Sequence, residues 1–201
     1  MALKYAVKLS QVTNLTDARY AAGMGVDFIG FTFNSADLEN DTLLTQRAEI
    51  AQWIVGPEIV LEDGGLSNEE VNTLFTKLPF AYIQTRNLKV VGERRLIYPI
   101  LLTECCLKEM DTVLAEFPHA IFLISLIGSK VIPAIEEYLV QYAEKYQVLV
   151  NAPEYVGKDL LPLLEKVNPF GLELTGGEEE RPGYRDMGQM MDILEALEVE
   201  D

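Results

Sequence analysis

Two short stretches, one near each end of the chain, hold residue types that could do chemistry. Near the C-terminal end, Phe170-Gly171-Leu172-Glu173-Leu174-Thr175-Gly176-Gly177 sets one carboxylate between two leucines and breaks at a glycine pair. As a strand, this places Leu172 and Leu174 on one face and Glu173 on the other. The Thr175-Gly176-Gly177 turn then leaves backbone N–H groups open at the strand's C-terminal end, an arrangement that suits a phosphate or another anion. Near the start, Ala6, Lys8 and Ser10 share one parity of a strand, and Val7 and Leu9 share the other. With the apolar pair packed on helices, Lys8 points to the interior, where an unpaired ammonium is costly. Glu173, inward on a neighbouring strand, is its natural partner, either as a structural ion pair or as part of a site.

Other polar residues fall at or just beyond the ends of expected strands: Asp63, Gln84, Arg86, Glu104, Ser125 and Asn151. Arg86 is the best candidate cation for an anionic ligand, against the ordinary alternative of a surface salt bridge. The lone His119 precedes a strand and so falls at the end of the fold away from the site. Cys105 and Cys106 are adjacent and have no third partner, which gives neither a disulfide framework nor a zinc site. The run Glu178-Glu179-Glu180 reads as a solvated loop. No metal site and no cofactor is expected. Trp53, Leu43 and Ile50 lie at helical spacings and read as core, and Tyr138 and Tyr142 as packing residues with wet hydroxyls.

These residues need a scaffold, and the chain alternates apolar runs with amphipathic segments throughout. Strands are expected at Tyr5–Ser10, Val26–Phe33, Glu58–Leu61, Phe80–Thr85, Arg95–Leu102, Ala120–Ser125, Gln147–Val150 and Phe170–Leu174. Helices are expected at Asn14–Met24, Leu43–Ile54, from a cap at Ser67, up to Phe117, through Tyr142, at Val156–Val167 and at Tyr184–Leu197. Ser67 with Glu70 three residues on forms a capping box. The link after the fourth strand shows no convincing helix. Eight strand–helix units with one helix eroded predict a single-domain (β/α)8 TIM barrel over residues 1–201. The inward residues at strand C-terminal ends then meet at one mouth.

Composition narrows the partners. The 201 residues are 49% hydrophobic, enough for a sizeable core, and carry a formal charge of −16. That charge argues against nucleic acid and anionic membrane surfaces. No apolar run approaches the ~20 residues of a membrane helix, and the N-terminus lacks the pattern of a signal peptide, so a cytoplasmic protein is expected.

The stretch Val7-Lys8-Leu9-Ser10-Gln11-Val12-Thr13-Asn14-Leu15-Thr16-Asp17-Ala18, with Ala21-Ala22-Gly23-Met24-Gly25-Val26-Asp27-Phe28-Ile29-Gly30-Phe31 after it, resembles the opening of phosphoribosylanthranilate isomerases. The closing segment, with Glu173, Gly176, Gly177, Pro182-Gly183 and Arg185-Asp186, resembles the end of the same family. The resemblance is strong at both ends and faint in the middle. It implies an Amadori rearrangement in tryptophan biosynthesis, in which a carboxylic acid protonates the furanose oxygen and a cysteine thiolate removes a proton from the neighbouring carbon. The acid then falls on Glu173, where the family has Asp, and the base on Ser10, where it has Cys. A serine hydroxyl needs its own base, and the sequence offers no histidine for it. The arginine that the family carries after its second strand is displaced by Ser35-Ala36-Asp37, and its phosphate loops are reduced to Gly128-Ser129-Lys130 and Asn151-Ala152-Pro153.

The expected catalytic pair is therefore Ser10 and Glu173. Lys8, Gln84, Arg86, Ser125, Asn151, Thr175, Gly176 and Gly177 are the expected binding residues. Three functions stay open: an isomerase of this type with altered groups, a barrel that binds a small phosphorylated or anionic metabolite without turnover, and a structural or interaction protein, monomeric or homodimeric.

Overall fold

The computed structural model describes residues 2–101, 106–126, 133–153, 160–175, 179–181, 184–185 and 188–199. Eight parallel strands close into a barrel in sequence order: β1 (Ala6–Ser10), β2 (Phe28–Phe33), β3 (Glu58–Asp63), β4 (Phe80–Gln84), β5 (Arg95–Leu101), β6 (Ile121–Ser125), β7 (Val148–Asn151) and β8 (Gly171–Thr175). The helices are α1 (Leu15–Gly23), α2 (Asp41–Trp53), α3 (Asn68–Lys77), α4 (Cys106–Glu116), α5 (Pro133–Lys145), α6 (Leu160–Val167) and α7 (Gly188–Ala196). Between β4 and β5 only a short 3₁₀ turn, Leu88–Val90, replaces the helix, so the (β/α)8 barrel with one eroded helix is the observed fold. No helix among the described residues is long and apolar enough to cross a membrane.

Strand parity builds two layers. Outward residues such as Val7, Leu9, Ile29, Phe31, Leu61 and Leu172 are buried against the helices. Inward residues Phe28, Val60, Tyr82, Ile97, Ile121, Leu123 and Leu149 form a separate cluster inside the barrel. That apolar plug leaves the strands' C-terminal ends to polar side chains. Closure is by β1 on β8, with Ala6 opposite Gly171, Lys8 opposite Glu173 and Ser10 opposite Thr175. Gly171 is required there, because a Cβ would stand 2.1 Å from the Ala6 carbonyl oxygen.

Local signals set the helix starts. Asn14 caps α1 by accepting from the Asp17 N–H, and Ser67 with Glu70 forms the expected capping box on α3. Several expectations are corrected. β3 runs on to Asp63 rather than stopping at Leu61, because Glu62 continues the pairing with β2 and β4. The last helix begins at Gly188, and Tyr184–Arg185 instead pair with Glu179–Arg181 as a two-stranded ribbon. Trp53 at the end of α2 is 68% exposed, not core, because it turns away from the barrel while Ile50 stays buried. Tyr142 is fully buried, so its hydroxyl is not wet.

Candidate functional site

The polar end of the barrel is organised around Lys8. Its ammonium is fully buried and lies 2.5 Å from Glu62 Oε1, 2.6 Å from Glu173 Oε2 and 2.5 Å from Ser10 Oγ. Ser10 in turn donates its hydroxyl proton to Glu173 Oε2 at 2.5 Å. The other oxygen, Glu173 Oε1, accepts from Asn151 Nδ2 at 2.6 Å. Glu62 Oε2 accepts from the Thr32 hydroxyl at 2.6 Å and from the Gln11 N–H at 3.1 Å. Gln11 adopts a left-handed backbone with φ 56° as the chain leaves β1, a conformation uncommon outside glycine. Ser10, Glu62 and Glu173 are all buried.

Each strand supplies its member by parity. Lys8 and Ser10 stand on β1, Glu173 on β8, Asn151 at the end of β7, Thr32 on β2 and Glu62 on β3. Gly30 of β2 leaves the room Glu62 needs, since a Cβ there would lie 1.9 Å from Glu62 Oε1. Burial works against both charged forms, but the ion pairs prevail. Glu62 and Glu173 beside it hold the Lys8 ammonium above its ordinary pKa. The Lys8 ammonium, with the Thr32 and Ser10 hydroxyls, holds Glu62 below the usual carboxylate value.

Of the residues predicted from sequence, Ser10, Glu173, Lys8 and Asn151 are brought together in one network. Gln84 is the neighbour of Glu62 in the β3–β4 register, and its Oε1 is buried with no hydrogen-bond partner among the described residues. Ser125 ends β6 opposite Asn151 and is half-buried. Thr175 is exposed at the end of β8. Arg86 takes the ordinary alternative: it pairs with Glu109 at 3.0 Å and lies over the Tyr98 ring, on the helix side of β5. Asp63 is structural, accepting from the Gly65 and Leu66 N–H groups and the Thr85 hydroxyl. Asp37 caps its own turn through the Asn34 N–H. Gly176, Gly177, Glu104 and Gly128–Lys130 lie outside the described residues. Among the described residues no group of three or more His, Cys, Asp or Glu could hold a metal ion.

Sequence reasoning missed Glu62, Thr32 and Gln11. The signal for Glu62 was present, because Val60 and Glu62 share parity in Glu58-Ile59-Val60-Leu61-Glu62-Asp63.

Comparison with solved structures gives phosphoribosylanthranilate isomerases. The barrel of the isomerase from Thermus thermophilus superposes with a TM-score of 0.72 at 19% identity, covering 96% of this chain and 98% of that one. The isomerase from Thermotoga maritima gives 0.68 at 17%, covering 95% and 97%. A phosphoribosylanthranilate isomerase in complex with reduced 1-(o-carboxyphenylamino)-1-deoxyribulose 5-phosphate gives 0.71 at 16%, again covering 95% and 97%. The likeness is one of fold. No protein-family model and no curated protein sequence matches the chain.

As chemistry, each ionisable group of the described network is engaged by another group of it. Lys8, held protonated, is no base for Ser10. The Ser10 hydroxyl is bonded on both sides, and Glu173 accepts on both oxygens from groups that themselves hold the protons.

Proposed function

We propose that this chain is a phosphoribosylanthranilate isomerase-type barrel in which the Amadori rearrangement does not run. The observation that carries the reading is the 2.6 Å contact of Lys8 with Glu173, to which Ser10 also donates. The two groups that the resemblance assigns as base and acid are bonded to each other and to Lys8. A thiolate at position 10 could accept a proton, since a cysteine ionises near pH 8.5, whereas a serine hydroxyl bonded to an ammonium and a carboxylate cannot.

The charge around the mouth supports the same reading. The compound in the related complex carries a carboxylate and a phosphate by its name. Here the described cation in the mouth, Lys8, is already engaged by two carboxylates, and Arg86 is drawn to the helix side by Glu109. On this reading the chain stands outside tryptophan synthesis and keeps the barrel as a stable body with a self-paired polar centre.

The test is turnover of phosphoribosylanthranilate by the wild type and by the double variant Ser10→Cys with Glu173→Asp. The wild type should be indistinguishable from the uncatalysed reaction, and the double variant should show measurable turnover. A wild-type kcat/KM in the ordinary enzyme range, above about 10⁴ M⁻¹s⁻¹, would overturn the reading. Silence of both proteins would keep the lack of activity and remove the idea that two substitutions alone account for it.

A further inference from the structure

A cavity of about 160 Å³ opens between β7, β8, α6 and α7, on the outer side of the Lys8 network. Its walls include Leu160, Leu174, Met190 and Ile193, and its polar end is Asn151 with Glu173. We propose that this cavity binds a small protonated primary amine with a short aliphatic body, its ammonium seated on Glu173. The assignment rests on the reading of the mouth as a self-paired, non-catalytic centre, and it inverts the anion that the sequence alone suggested.

Three observations lead there. First, among the described residues the buried network sets two carboxylates, Glu62 and Glu173, against one ammonium, Lys8. An entering cation offsets the excess negative charge, and an entering phosphate or carboxylate adds to it in a medium where charges are poorly screened. Second, among the described residues Glu173 Oε1 accepts one bond, from Asn151, and a carboxylate oxygen has capacity for a second donor. Gln84 Oε1, elsewhere in the mouth, is likewise an acceptor without a donor among the described residues. Both oxygens are acceptors with room for a donor. Third, the four apolar side chains suit a hydrocarbon body, and about 160 Å³ leaves room for only a short one.

The experiment titrates the full chain at pH 7 with n-butylammonium, 1-butanol, n-butyrate and inorganic phosphate, read by calorimetry and by amide NMR shifts. Butylammonium should bind roughly ten-fold more tightly than butanol, the ratio expected of one charge-assisted hydrogen bond. Butyrate and phosphate should bind more weakly than butanol. Glu173→Gln should erase the preference for the ammonium and leave butanol unchanged. Because that variant also disturbs Lys8, Ile193→Phe is the second: it crowds the cavity without touching the network and should abolish binding of both ligands, its overpacking lowering the melting temperature by several degrees while the chain stays folded. Butyrate or phosphate binding as tightly as butylammonium would overturn the proposal. So would no binding of butylammonium at tens of millimolar, or butylammonium affinity unchanged by Ile193→Phe. Turnover of phosphoribosylanthranilate is a separate readout, so the two readings fail separately.

Discussion

Gly30 of β2 is the space into which the Glu62 carboxylate of β3 leans: a Cβ on Gly30 would stand 1.9 Å from Glu62 Oε1. The same oxygen is bound to Lys8 at 2.5 Å, so the side chain cannot yield without breaking its ion pair. Gly30→Ala should therefore destabilise the fold by about 1–3 kcal/mol, the usual cost of overpacking. It should appear as a lower urea midpoint at an unchanged m-value. In a Glu62→Ala background the same substitution should cost much less. An equal cost in both backgrounds would show that Gly30 serves something other than Glu62.

Lys8→Met should cost about 3–5 kcal/mol, because it leaves two buried carboxylates without their cation. Adding Glu62→Gln and Glu173→Gln to it should recover part of that loss. Urea unfolding of the single and triple variants measures both. If the single variant unfolds at the wild-type midpoint, Lys8 does not hold the network together.

Stability should fall at both ends of the pH range. Glu62 is held below its ordinary value of 4.5, so its contribution is complete above that pH and is lost as pH falls through the folded value. Lys8 is held above its ordinary 10.5, so its contribution is complete below that pH and is lost as pH rises through the folded value. Glu62→Gln should flatten the acid side of the urea-midpoint profile. Matching acid limbs in variant and wild type would count against the Glu62 assignment.

Gly171→Ala should be at the upper end of the ~1–3 kcal/mol overpacking range or beyond it. Its Cβ would meet the Ala6 carbonyl at 2.1 Å, and backbone in the closing β1–β8 pair cannot swing aside as a side chain can. Thermal melts of Gly171→Ala and Gly30→Ala compare the two directly. Gly171→Ala melting at or above Gly30→Ala would contradict the closeness of this closure.

Arg86→Ala should cost no more than about 1 kcal/mol, as expected of an exposed pair with Glu109. Binding of butylammonium should be unaffected by it. A large change in that affinity would return Arg86 to the mouth.

Much of the fold was legible. Alternating Ala6, Lys8 and Ser10 against Val7 and Leu9 identified the inward face of β1, and Glu173 between Leu172 and Leu174 did the same for β8. The capping residue Ser67, with Glu70, fixed the start of α3 because caps act within a few residues. The stop at Leu61 was wrong, since an acidic pair ends an apolar run in sequence without ending the ladder in space. Trp53 misled for a related reason: helical spacing cannot say which end of a helix projects beyond the sheet.

The sequence by itself determined the barrel and the pairing of Lys8 with Glu173, because strand parity and residue type are local properties. Only the tertiary structure decided that Glu62, far away along the chain, is the second carboxylate on Lys8, that Asn151 completes Glu173, and that Arg86 turns outward to Glu109. Those choices depend on strand stagger around a closed barrel and on the room left by one glycine, which no stretch of sequence states on its own.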